Sequence, residues 1–337
     1  MLRNLVSLVI FACLSTGLGL AQSVPPSVPK DSVEQKNPSS PRPPIAGKEN
    51  WAQLPVDRKA LPLYLAGVSL GKTETPDFTR ELIRLQWRAS DPVDIWVVMP
   101  HGVTKPRVAL YLYSYPSDID RFRDNAWCQA ATQHGLAAVG FISALTGERF
   151  RLRPMRDWFV PELQESMGST VHDVQLIIDY LQKRGDLSVD KVGMFGQGSG
   201  GSIAILAAAA DPRITAVDLL NPWGDWPDWL KGSPLLEDSE RSKYLTADFL
   251  QKAAAVEPIS FLPQLKDRAI RIQQILDYPN NPPAARDKIA ETVPAIELVQ
   301  FKDRPAHAES WKTAGMSGWL AQQLQSKSEK QTESAGK

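Results

Sequence analysis

Apolar positions between residues 81 and 301 fall into two rhythms. Glu81 to Arg88 (ELIRLQWR) and Val93 to Met99 (VDIWVVM) are β-rich runs joined by Ala89, Ser90, Asp91 and Pro92, which predicts an antiparallel pair. Short apolar runs then recur at Arg107 to Tyr113, Leu136 to Ile142, Lys191 to Phe195, Ile214 to Leu220, Ile270 to Leu276 and Ala295 to Phe301. Between them lie helical patterns at Arg121 to His134, closed by Gly135, and Thr170 to Arg184, closed by Gly185. Others follow at Gly200 to Ala210, Pro283 to Val293 and Met316 to Gln325. Several of the later strands are apolar and β-branched, as in parallel sheets covered on both faces. The pattern predicts a three-layer α/β domain with an eight-stranded, mostly parallel sheet and an antiparallel start. One long interruption, residues 221–264 between the sixth and seventh strands, is expected to be an inserted lid.

The rhythm is missing at both ends. Met1 to Asn4 precede a mostly apolar run from Leu5 to Leu14 and then small residues ending Gly19, Leu20, Ala21. This has the charged start, apolar middle and small-residue cleavage site of a secretory signal, with cleavage expected after Ala21. A retained anchor, or a lipidated Cys13, is the alternative that would tie the chain to a membrane. Residues 22–50 hold seven prolines among Ser, Lys, Glu and Gln and almost no large apolar side chain. Such a stretch cannot bury enough surface to order itself, so residues 22–60 are expected to be a spacer and residues 61–326 the folded domain. Residues 327–337 are expected to be a polar tail.

Composition removes several function classes. Apolar residues are 43% and charged residues 23%, enough for a sizeable core. Thirty-eight Lys and Arg balance thirty-eight Asp and Glu, which leaves no basic field for a nucleic-acid partner. The only cysteines are Cys13 and Cys128, and there are four histidines. These supply neither a disulfide framework nor a zinc site, so no metal and no cofactor is expected. His101, His134 and His172 have no partner suggested by spacing and read as surface or capping residues.

The most specific segment is Val189 to Pro222, VDKVGMFGQGSGGSIAILAAAADPRITAVDLLNP. A short strand enters a glycine cluster and leaves as an alanine-rich helix. It resembles the nucleophile elbow of the α/β-hydrolase superfamily, whose motif is G-x-S-x-G, and the similarity extends from about Glu81 to Gln325. Laying the motif on Gly196, Gln197, Gly198, Ser199, Gly200 and Gly201 matches every glycine and puts Gly198 where the serine nucleophile should stand. Ser199 is then the following residue, a small helix-start residue able to cap the helix or to offer its backbone N–H. A shift of one residue makes Ser199 the nucleophile but puts Gln197 where a small residue is usual.

The resemblance carries further site expectations. The loop after the third strand, Tyr113 and Ser114, occupies the oxyanion-type position but lacks the usual glycine. After the seventh strand, Asp277 stands one residue before the place of the triad acid, which Tyr278 takes; Asp225, after the sixth strand, is the substitute. His307, in a loop before the last helix, takes the place of the general base. Trp223, Trp226 and Trp229 recur every third residue, which would put them on one side of a lid over the cleft, or pack the insertion onto the domain. Two functions follow: a ligand- or partner-binding protein with a degenerate elbow, or an ester or acyl hydrolase using Ser199, His307 and Asp277.

Overall fold

The computed structural model describes residues 49–61, 66–88, 91–116, 120–145, 159–292 and 297–325. The expected signal, most of the expected spacer and the polar tail lie outside the described residues. Nine strands form one sheet in the order β1-β2-β3-β5-β4-β6-β7-β8-β9. They are β1 (Val68–Glu74), β2 (Phe78–Arg88), β3 (Asp91–Pro100), β4 (Arg107–Leu112), β5 (Ala137–Phe141), β6 (Ser188–Gln197), β7 (Ile214–Leu220), β8 (Ala269–Ile275) and β9 (Glu297–Phe301). The expected antiparallel pair is β2 with β3; β3 also pairs antiparallel with β5, and from β5 through β4, β6, β7 and β8 to β9 neighbouring strands run parallel. Burial follows the two rhythms. In β2, Ile83, Leu85 and Trp87 are buried and the residues between them are not, whereas every residue of β5 is buried.

Helices cover both faces. On one lie α2 (Leu163–Arg184) and α3 (Ser199–Ala210), whose Met167, Val171, Ile203 and Leu206 join Val108, Leu110, Val192 and Met194 from the sheet. On the other lie α1 (Asn125–Thr132) and α10 (Gly318–Leu324), where Cys128, Ala131, Leu320 and Leu324 meet Ala109, Tyr111, Phe195 and Ala216. Residues 221–264 fold as the short helices α4 (Trp226–Gly232), α5 (Asp238–Tyr244), α6 (Ala247–Ala253) and α7 (Pro258–Phe261). Then come α8 (Pro283–Glu291) and α9 (Arg304–Ala314). No helix among the described residues is long and apolar enough to cross a membrane.

Three sequence expectations need correction. The sheet has nine strands because β1 pairs with β2 through its backbone while all its residues stay exposed, so no apolar face announces it. The folded domain starts before residue 61: Leu54 and Val56 are buried, and Gln175 on α2 binds the backbone of both, accepting from Val56 N at 3.1 Å and donating to Leu54 O at 2.8 Å. Finally, His172 is only 1% exposed, because this N-terminal strap covers the α2 face on which it sits.

Candidate active site

β6 lies between β4 and β7, and its buried Val192–Gly196 stretch carries the chain into the interior before it turns sharply into α3. The turn residue is Gly198, with φ 55° and ψ −119°, a conformation costly for a residue with a side chain. Two flanking glycines fix the register. A Cβ on Gly196 would lie 2.4 Å from Gly200 O, and one on Gly200 would lie 2.1 Å from Leu112 O. Strand and helix backbones touch at these points, and Gly198 is the tip between them. The Gly198 carbonyl accepts from Gly201, Ser202 and Trp223 N–H groups, and its N–H donates to Leu220 O at 2.9 Å.

The space above the tip is filled. A Cβ on Gly198 would stand 2.3 Å from Ser114 Oγ, 2.8 Å from Ser114 Cβ and 3.3 Å from Trp223 Cε2. Ser199, 1% exposed, accepts a hydrogen bond on Oγ from Tyr115 N–H at 2.9 Å. Its hydroxyl therefore ties α3 to the loop after β4, in place of the expected helix cap. Tyr113 points the other way: its hydroxyl accepts from Trp127 Nε1 at 2.9 Å, and the Arg121 guanidinium sits 3.9 Å from its ring centre. Burial raises the Tyr113 phenol above its usual range despite Arg121.

His307 lies inside α9, not in a loop. Asp303 caps that helix by accepting from Ala306 N–H, and Pro305 sits in its first turn. The imidazole packs edge-on to Phe301, 5.0 Å between ring centres, and beside Trp311 at 4.8 Å. Its Nε2 is buried without a hydrogen-bond partner, so it bonds neither to Ser199 Oγ nor to Ser114 Oγ. Burial first, and the positive charge of Arg271 second, lower its pKa from 6.5 to about 4, leaving the ring neutral at neutral pH.

Asp277 does not orient this ring. It is exposed in the turn after β8, and its carboxylate makes no hydrogen bond or ion pair to another described residue. Asp225 is engaged elsewhere: Lys288 Nζ lies 2.7 Å from both Asp225 Oδ2 and Asp228 Oδ2. Glu257 accepts from the backbone N–H groups of Asp225 and Trp226, each at 2.7 Å. The structure thus joins Gly198, Ser114, Ser199 and Trp223 at one point and leaves His307, Asp277 and Asp225 unconnected to it by hydrogen bonds.

No protein-family model and no curated protein matches the chain. Solved structures do match in three dimensions. An acetyl xylan esterase from Paenibacillus sp. R4 is similar over 73% of this chain and 86% of its own, at 14% identity and a TM-score of 0.58. An acetyl xylan esterase 1 from Thermoanaerobacterium sp. JW/SL YS485 gives the same coverage at 12% identity and a TM-score of 0.55. A cold-adapted esterase from an Arctic intertidal metagenomic library is similar over 76% of this chain and 98% of its own, at 13% identity and a TM-score of 0.53.

The chain has the α/β-hydrolase fold. In hydrolase-fold enzymes the N–H of the residue after the nucleophile and an N–H from the loop beyond the neighbouring strand form the oxyanion hole. In the loop after β4 of this chain, the Tyr115 N–H donates to Ser199 Oγ. The three tryptophans are not exposed on a lid face. Trp223, Trp226 and Trp229 are at most 1% exposed, Trp223 and Trp229 pack with ring centres 4.7 Å apart, and Phe159 stacks on Trp223. The every-third spacing thus packs the insertion onto the fold.

Sequence reasoning missed the role of Ser114 above Gly198 and of Tyr115 N–H beside it. A signal was present, since the loop lacks the glycine usual there and any side chain in its place must occupy space at the elbow.

Proposed function

We propose that this chain is an exported hydrolase-fold protein that lacks an elbow serine nucleophile and binds a small-molecule ligand or a protein partner through the region of the former cleft. The observation that carries the reading is the glycine at 198, with Ser114 Oγ in the space a nucleophile side chain would need. An elbow without a hydroxyl cannot form an acyl-enzyme there. Two further observations support it: the Ser199 hydroxyl is bonded to Tyr115 N–H, and His307 Nε2 has no partner. Treatment of the purified protein with a fluorophosphonate serine probe is expected to leave Ser199 unlabelled, with the same result in Ser199→Ala. An adduct mapped to Ser199 and abolished by both Ser199→Ala and His307→Ala would overturn the reading.

The second reading is an ester or acyl hydrolase using Ser199, His307 and Asp277. It is favoured by the similar solved structures, which are esterases. That labelling result would establish it. Export to the periplasm or the extracellular space is part of both readings and rests on the apolar, small-residue start ending at Ala21. N-terminal sequencing of the exported protein is expected to begin at Gln22; a chain retaining Met1 and sedimenting with membranes would point to an anchor.

A further inference from the structure

We infer that the open edge of β1 is a docking strand for a second copy of this chain, which adds to it antiparallel about a two-fold axis at Thr73. β1 ends the sheet and pairs with β2 alone, so one side of its backbone is unpaired among the described residues. The groups it offers follow from the hairpin. Thr75 N–H donates to Phe78 O at 2.9 Å, so residue 75 bonds toward β2. From there the register runs unbroken, from Glu74 with Thr79 back to Gly71 with Leu82. Bonding alternates along an antiparallel strand, so Thr73 and Gly71 also turn toward β2, while Lys72 and Glu74 hold their N–H and C=O groups outward. Such unpaired groups are a template for a further strand.

The charges select which strand. Every residue of β1 is exposed, and Lys72 Nζ lies 2.8 Å from Glu74 Oε1. An inverted copy centred on Thr73 sets Lys72 opposite Glu74 of the second copy, and Glu74 opposite its Lys72. Both residues of each pair point outward, so each pair exchanges two backbone hydrogen bonds. The side chains alternate in sign around the axis, and opposite charges directly across a strand pair attract. Moving the axis by one residue would set Lys72 against Lys72, or Glu74 against Glu74. Like charges there repel, so the sequence of the edge selects its own register.

The edge also has room. A Cβ on Gly71 would meet nothing within 4 Å, and in this register Gly71 lies across from Thr75, where the second copy's hairpin turns. Leu70, 45% exposed, would sit beside Pro76 of that turn. Basic and acidic residues, thirty-eight of each, balance and put no net repulsion between copies. A two-fold contact of this kind closes at a dimer. The paired stretch, residues 71–75, is short beside the roughly 1,200 Å² that stable interfaces bury, so the dimer is weak and forms at high concentration. It does not depend on the reading of the elbow, which follows β6 in the middle of the sheet.

Sedimentation velocity of the full-length chain, from micromolar to millimolar concentration, tests it. A reversible dimer is expected, and Lys72→Pro should abolish it at an unchanged thermal midpoint, because that N–H points away from β2. Lys72→Glu and Glu74→Lys should each weaken association at least about tenfold, and the two together should restore it. Cross-linking reads the register directly. With Cys13→Ser and the remaining Cys128 buried, Thr73→Cys should give a disulfide-linked dimer under mild oxidation, since opposed residues there would have Cα atoms about 4.5 Å apart. Ser69→Cys should not. If Lys72→Pro lowers the midpoint, the charge exchange and the cross-link decide. A monomer at every concentration, a dimer that survives Lys72→Pro, no recovery in the charge-exchanged chain, or equal cross-linking from positions 69 and 73 would overturn the docking strand.

Discussion

Replacing Gly198 with serine puts back the hydroxyl that the elbow motif lacks, and the structure says what this should do to the fold. The backbone at 198, φ 55° and ψ −119°, is unfavourable for an L-residue by roughly 1–3 kcal/mol. The new Cβ would stand 2.3 Å from Ser114 Oγ and 2.8 Å from Ser114 Cβ, and forcing atoms into a packed interior costs about 1–3 kcal/mol. Together the loss should be about 2–6 kcal/mol. Gly198→Ala should lose a similar amount, because the clash belongs to the Cβ and not to the hydroxyl. Ser114→Gly in the same chain removes the steric share and leaves the backbone share. The four proteins of the cycle, wild type, Gly198→Ser, Ser114→Gly and the double variant, should therefore show a coupling of at least about 1 kcal/mol in chemical denaturation. Effects that add to within about 0.3–0.5 kcal/mol would refute the packed elbow. So would a Gly198→Ser protein as stable as wild type.

The remaining predictions concern His307 and the strap. His307 binds a proton less readily folded than unfolded, so its contribution to stability is fully present above pH 6.5 and is lost as the pH falls toward 4. Denaturation midpoints should fall across that window, and His307→Gln should flatten this part of the curve; an unchanged slope would mean the ring is not buried as described. Leu54→Ala should destabilise the domain by about 2–5 kcal/mol, because Leu54 is only 5% exposed. A change within about 0.5 kcal/mol would put the strap back into the spacer.

Much of the scaffold was readable because it is written in short-range periodicity. Alternation in β2 and β3, continuous apolar runs from β4 to β7, and glycines closing helices each act within a few residues. The spacing of Gly196, Gly198 and Gly200 was readable for the same reason: each marks a local conformation or close approach that a side chain would spoil. One local signal was passed over. Asp303 followed by Arg304 and Pro305 is a helix start, and reading it would have put His307 inside a helix.

What the sequence determined by itself, then, is the strands β2 to β9, the helices α1, α2, α3, α8 and α10, and the glycine register that puts Gly198 at the tip of the elbow. The tertiary structure alone decided that β5 lies between β3 and β4, that Trp223, Trp226 and Trp229 face inward, and that the strap buries His172. It also decided that Ser114 fills the space above Gly198, a contact between residues 84 apart in the chain whose side chains carry no mark of each other. Periodicity reports which face of an element is apolar. Which atoms meet across that face depends on the packing of elements distant in sequence, and in this protein that packing determines whether the elbow has room for a nucleophile.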